Sequence, residues 1–171
     1  MTTAPIIVSA TFAPADFAWL DGLRRAHFPP ERNVLPAHLT LFHHLPPSIE
    51  AELDRRLCAA VAEPAPRAEA AGLVSLGGGV AIRFASAALE AIRADLADAF
   101  AGLLTPQDRA GWRPHVTIQN KVAPATARAL RKDLEATFRP RPVRIVGLAA
   151  WWYRGGPWEL IRQHRFRRRE Q

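Results

Sequence analysis

Residues 36–45 read PAHLTLFHHL, and residues 113–122 read RPHVTIQNKV. Each holds a histidine, one further residue, a threonine and an apolar residue, and each histidine follows a proline by one or two positions. Six histidines in a chain of 171 residues, twelve of them Ser or Thr, should give about 0.4 chance cases of His-x-Ser/Thr. Two occur. Their meaning depends on whether they sit at equivalent points of a larger pattern.

Outward from the first stretch, APIIVSATF (Ala4 to Phe12) is a β-branched run short enough for a buried strand. Pro14 and Asp16 open a helix through about Arg25, with Phe17, Leu20 and Leu23 on one side. The loop HFPPERNVLP leads to a strand from His38 to Leu45. Ser48 caps a helix carrying Ile49, Leu53, Leu57 and Val61, which Pro64 and Pro66 end. A strand from about Glu69 to Leu76 follows, and Gly77-Gly78-Gly79 turns the chain into VAIRFA, Val80 to Ala85.

From Val80 the order recurs. Ser86 caps a helix with Leu89, Ile92, Leu96, Phe100 and Leu103 on one stripe, and the loop LTPQDRAGWRP leads to the strand HVTIQNKV. Pro124 opens a helix with Leu130 and Leu134 inward, VRIVGLAAWWY is a strand, and Arg154-Gly155-Gly156 turns into a last strand, WELIRQHRF. Ile6 to Val80 is 74 residues, His38 to His115 is 77, Ser48 to Pro124 is 76 and Glu69 to Val143 is 74. A near-constant offset with little residue identity reads as an internal duplication. The expected fold is α+β: duplicated β-α-β-α-β units around a central cleft, with one added C-terminal strand. Residues 1–171 then form a single domain of two pseudo-symmetric lobes, roughly 1–79 and 80–171.

Side chains alternate along a strand, so His38 and Thr40 share one face, as do His115 and Thr117, with Leu39, Leu41, Val116 and Ile118 turned into the layer behind. If the halves pack about a pseudo-twofold axis, two imidazoles and two hydroxyls surround one small volume. That set suits in-line attack at a phosphodiester. A neutral imidazole takes the proton from the attacking oxygen, an imidazolium protonates the leaving oxygen, and hydroxyls stabilise charge on the non-bridging oxygens. Histidine's reference pKa near ~6.5 lets both forms coexist around neutrality. No acidic residue lies within either motif, and no metal-ligand spacing is present, so no metal or other cofactor is called for.

The paired motifs HLTL and HVTI, the RPHVTI stretch and the hairpin WYRGGPWELI resemble the two-histidine (2H) phosphoesterases, and within them the 2′-5′ RNA ligase-like group, over nearly the whole chain. The resemblance implies a bilobal α+β fold with a basic central cleft. It also implies hydrolysis of 2′,3′-cyclic phosphates at RNA ends or on small cyclic nucleotides, and, as in some members, 2′-5′ joining of RNA ends by the reverse of the same transesterification. By the same analogy His38, Thr40, His115 and Thr117 carry the chemistry, either histidine serving as acid or base. One position departs from the family: an arginine often follows the second motif where this chain has Asn120.

Other residues are candidate substrate contacts. His44 shares, by alternation, the face of His38 and Thr40. Trp112 and Arg113 precede the second motif and offer a stacking face and a phosphate contact. Lys121 is retained as a candidate although alternation turns it the other way. His27 and His164 read as structural. Of the adjacent Trp151 and Trp152 at least one is core, and Cys58 reads as a buried, inert thiol.

The net charge of +7 comes from 23 Lys+Arg against 16 Asp+Glu, nearly all of it arginine. It fits an RNA or nucleotide partner, and equally the composition of a GC-rich genome. The terminal RFRRREQ reads as a solvated tail. A single cysteine points to a reducing cytoplasm, and neither a signal peptide nor a ~20-residue apolar span is visible, so a cytoplasmic, monomeric enzyme with no membrane partner is expected. The competing readings are a nucleotide- or RNA-binding module without turnover, which has no need of two opposed proton-transfer groups, and a metal-dependent hydrolase, which lacks a carboxylate ligand near either motif.

Overall fold

In the computed structural model, which describes residues 3–168, the first half runs β1 (Ile6–Phe12), α1 (Pro14–His27), β2 (Leu39–Leu45), α2 (Glu50–Ala60) and β3 (Arg67–Ser75). The second half repeats the order with β4 (Val80–Ala85), α3 (Ala87–Ala99), a short α4 (Pro106–Arg109), β5 (His115–Gln119), α5 (Pro124–Thr137) and β6 (Arg141–Trp152), and β7 (Glu159–Arg165) is added at the end. The fold is α+β, as the duplicated pattern implied, and these strands pair antiparallel.

Local chemistry accounts for most boundaries. Helix α1 starts with proline, carries Asp16 in its first turn and Arg24, Arg25 and His27 in its last, which complements the helix dipole at both ends. Ser86 caps α3 by accepting from the Leu89 N–H at 3.2 Å and donates its own hydroxyl to the Arg67 carbonyl at 2.6 Å. Ser48 does not cap α2. Pro47–Ile49 forms a 3-10 turn, and α2 begins at Glu50 without a side-chain cap. The helix α4 was not expected. Its signal is present in TPQD: Thr105 accepts from the Asp108 N–H, with proline at the first helical position.

The strands form one path, β2-β1-β6-β3-β4-β5, with β7 also paired to β6. This order cuts across a division into lobes at residue 79. The hairpin through Gly77, which takes a positive φ of 77°, makes β3 and β4 antiparallel neighbours, so β3 joins the strands of the second half. In exchange, β6 pairs with β1 from Ile145 to Trp152 and with β3 from Arg141 to Arg144. Each half therefore lends its third strand to the other, and β6 belongs to both groups. Gly147 marks a close approach: a Cβ there would collide with the His164 carbonyl oxygen of β7 and come within 2.9 Å of the Thr11 hydroxyl.

One apolar core runs through both halves, with Leu20 of α1, Leu53 and Leu57 of α2, Leu89 and Leu96 of α3, and the strand residues Ile6, Leu39, Phe42, Ile82, Val116, Ile118 and Ile145. Trp152 is the core member of its pair. Cys58 is exposed, not buried: it follows Leu57, and the ~100° turn per helical residue carries it off the Leu53–Leu57 stripe. The basic tail also differs from its reading. Phe166 is buried, the Arg167 N–H donates to the Val61 carbonyl at 3.1 Å, and the Arg167 carbonyl accepts from Ala65 at 3.3 Å, while residues 169–171 of RFRRREQ lie outside the described residues. No helix among the described residues is long and apolar enough to cross a membrane.

Candidate active site

Strands β2 and β5, which carry the two His-x-Thr motifs, are the two ends of the six-strand path, yet their Cα atoms approach within 8 Å. The motif-bearing edges therefore face one another. An edge strand exposes unpaired backbone groups, and buried ones must find partners. Here the partners come from the opposite half. Arg24 of α1, 4% exposed, donates from Nη1 to the Thr117 carbonyl at 3.0 Å, and Arg93 of α3, 8% exposed, donates from Nε to the Leu41 carbonyl at 3.1 Å. Trp112 donates its indole N–H to the Thr40 carbonyl at 3.0 Å, and the Asp108 carboxylate accepts the His43 and His44 backbone N–H groups at 3.0 Å. The two halves are braced across the motifs.

Both motif histidines are oriented by the same local device. His38 Nδ1 donates to the Pro36 carbonyl and His115 Nδ1 to the Arg113 carbonyl, each at 2.8 Å. A carbonyl only accepts, so each Nδ1 carries the proton and each Nε2 is left for chemistry. The pairing is built into the proline-containing approach to each motif, two residues upstream in both cases. The Thr40 and Thr117 hydroxyls have no protein partner among the described residues.

The two rings sit in different surroundings. Burial pushes the His38 pKa from 6.5 down to about 4; the Pro36 carbonyl works against this, and the charges of Arg24, His43 and His115 add to it. The His38 ring also lies 4.5 Å, centroid to centroid, from Trp158, which is 6.1 Å from Trp151, whose indole N–H donates to Ser9 at 2.8 Å. Ser9 is the register partner of Thr40. Burial likewise holds Arg24 below its ordinary pKa, partly offset by Asp21.

Thr40 and His115, one residue from each motif, line a cavity of about 150 Å³ together with His43, Arg93, Asp108, Trp112 and Arg113. Trp112 and Arg113 therefore stand where the sequence placed them, beside the motifs, although the Trp112 indole N–H is spent on the Thr40 backbone. His44 does not. Register shifts in the β1–β2 pairing break the alternation of β2, leaving Leu41 and Phe42 both buried. His43 is carried to the cavity, and the His44 side chain is left exposed. Lys121 is outside the cavity lining, past the end of β5, in a left-handed turn with φ 64° held by Asn120 Oδ1, which accepts from its N–H at 2.9 Å. Asn120 thus serves the turn, while Arg24 contacts the second motif strand, Arg93 the first, and Arg113 lines the cavity. Arg24, Arg93, Asp108 and His43 were not singled out from sequence. Only contacts between distant segments mark them. Among the described residues no group of three or more His, Cys, Asp and Glu could hold a metal ion.

The family model described as the 2′-5′ RNA ligase superfamily matches residues 12–157. The chain belongs to the 2′-5′ RNA ligase superfamily. Three solved structures share the fold over nearly the whole chain. Escherichia coli LigT in apo form is 14% identical with a TM-score of 0.65, covering 97% of this chain and 99% of its own. TT0787 of Thermus thermophilus is 14% identical with a TM-score of 0.62, covering 97% and 100%. A phosphoesterase is 16% identical with a TM-score of 0.63, covering 96% and 99%. LigT has also been solved with 3′-AMP and with phosphate. No curated protein matches the chain. Identities this low establish the shared fold alone.

Proposed function

We propose that the protein is a phosphodiesterase that opens 2′,3′-cyclic phosphates at RNA ends or on nucleotides, without a metal or other cofactor, and that can also join RNA ends through 2′-5′ linkages. The observation that carries this is the matched orientation of His38 and His115, each with Nδ1 tied to the carbonyl two residues upstream and Nε2 left over. A binding module needs no such symmetry of proton-transfer atoms.

The burial of His38 supports assigning the roles. With its pKa near 4, His38 is neutral at pH 7 and its Nε2 acts as general base. It takes a proton from water as the oxygen attacks phosphorus in line. The bond from phosphorus to one ribose oxygen breaks, and that oxygen takes the Nε2 proton of the His115 imidazolium. Water adds across one P–O bond, leaving a phosphomonoester and a free hydroxyl. Thr40 and Thr117 hydroxyls donate to the non-bridging oxygens, and the nearby Arg24 guanidinium favours the charge that builds there. In the joining direction a 5′-hydroxyl of RNA takes the place of water.

The test is turnover of an RNA with a 2′,3′-cyclic phosphate end in the presence of EDTA. Hydrolysis should persist in the wild type and fall by about 10²–10⁴ in His38→Ala and in His115→Ala. RNA binding without turnover in the wild type would replace this reading with a binding module, and loss of activity to EDTA would replace the mechanism.

A further inference from the structure

The cavity shared by Thr40 and His115 extends away from the motifs toward α4, and its far wall is cationic. Arg113 and Arg93 line it, as does His43. Arg93 is 92% buried by its 8% exposure, donates from Nε to Leu41 and from Nη2 to the Asp108 carbonyl at 2.6 Å, and its Nη1 has no partner among the described residues. The Asp108 carboxylate in the wall partly offsets the Arg93 charge, but its oxygens are not free to meet a ligand. Asp108 has a side chain 1% exposed, and both its oxygens are spent on His43 and His44: Oδ1 on the His43 N–H and ring Nδ1, Oδ2 on the backbone N–H groups of both. That contact turns Nδ1 of His43 inward, so Nε2 is the atom left for a ligand.

The size of the space decides what kind of group fits. At about 150 Å³ it is well below the ~300 Å³ of a pocket that encloses a drug-sized molecule, so it suits a phosphate better than a nucleoside. Because Thr40 and His115 belong both to this cavity and to the motif pair, a phosphate in the cavity would adjoin the one at the motifs. On an RNA end the group that meets this condition is the phosphate on O5′ of the terminal ribose.

We propose that His43, Arg93 and Arg113 form a second phosphate subsite, which takes the 5′-phosphate of the nucleotide whose 2′,3′-cyclic phosphate lies between His38 and His115. This rests on the proposed reaction and adds a substrate preference to it: cyclic ends bearing a 5′-side phosphate over cyclic nucleosides without one. That phosphate can be a terminal monoester or a link to the preceding nucleotide.

Three substrates separate the possibilities: adenosine 2′,3′-cyclic phosphate, the same nucleotide with a 5′-phosphate, and the dinucleotide ApA with a 2′,3′-cyclic end and a free 5′-hydroxyl. In wild type the 5′-phosphate should raise kcat/KM at least about 10-fold over the first substrate, and the ratio should fall toward one in Arg113→Ala and in His43→Gln. An equal gain for the dinucleotide extends the subsite to RNA linkages. A gain for the dinucleotide alone would come from its second nucleoside and would overturn the proposal, as would a wild-type ratio of one, or a ratio unchanged in both variants. Affinities of the same ligands for the His38→Ala protein give a readout independent of turnover. If wild type turns over none of the three, the failure belongs to the proposed reaction, and a 10-fold tighter binding of the 5′-phosphorylated ligand, lost on adding Arg113→Ala, still decides for the subsite. Equal binding of phosphorylated and unphosphorylated ligands decides against it.

Discussion

His38 is where one residue's environment has the most measurable consequence. Its folded pKa near 4 lies below the 6.5 of an exposed histidine, so between those values the unfolded chain binds a proton that the folded one does not. Folding stability then rises with pH across that window and is lost as pH falls from 6.5 to 4. Thermal melts at intervals between about pH 7 and 4 should show this slope, and His38→Gln should flatten it. If His38 is the base, the acid limb of kcat/KM should fall near pH 4 rather than near 6.5. An acid limb at the higher value would count against the assignment. The motif residues themselves were legible because a two-residue spacing on a strand needs no tertiary information. His43 was not, because register shifts in the pairing of β1 with β2 reversed which of two adjacent histidines reaches the cavity.

At the scale of elements, α4 is the shortest α-helix among the described residues and holds the edge of β2. Asp108 satisfies two backbone N–H groups of that edge, those of His43 and His44. Burial pushes its carboxyl pKa up, but hydrogen bonds from the His43 ring and from both backbone groups outweigh this and hold it below the usual range. Asp108→Ala leaves those donors buried without acceptors, and a loss of about 2–4 kcal/mol is expected in denaturant unfolding. Asp108→Asn keeps one acceptor oxygen and should lose less. Strands and long helices were readable from periodicity, and α3 from its serine cap. The four residues of α4 carry no periodicity, and their importance comes from a strand some 65 positions away.

The whole molecule behaves as one unit because its halves exchange strands. β6 pairs with β1 of the first half and with β3, and a single core spans both motifs. A fragment of residues 1–79 would leave β1 without β6 and β3 without either neighbour, with most of a sheet edge exposed. It is expected to lack cooperative unfolding and dispersed amide resonances, whereas the full chain should unfold in one transition, with tryptophan fluorescence and far-ultraviolet dichroism coinciding. An independently folded 1–79 would contradict this. The amino-acid sequence by itself determined the element order, the duplication and the two His-x-Thr strands, because these follow from local periodicity, turn chemistry and spacing. Tertiary structure alone decided which strands pair, that each half's buried arginine braces the other half's motif, and which histidine adjoins the cavity. Those outcomes depend on edge carbonyls and register shifts that exist only once distant strands have met.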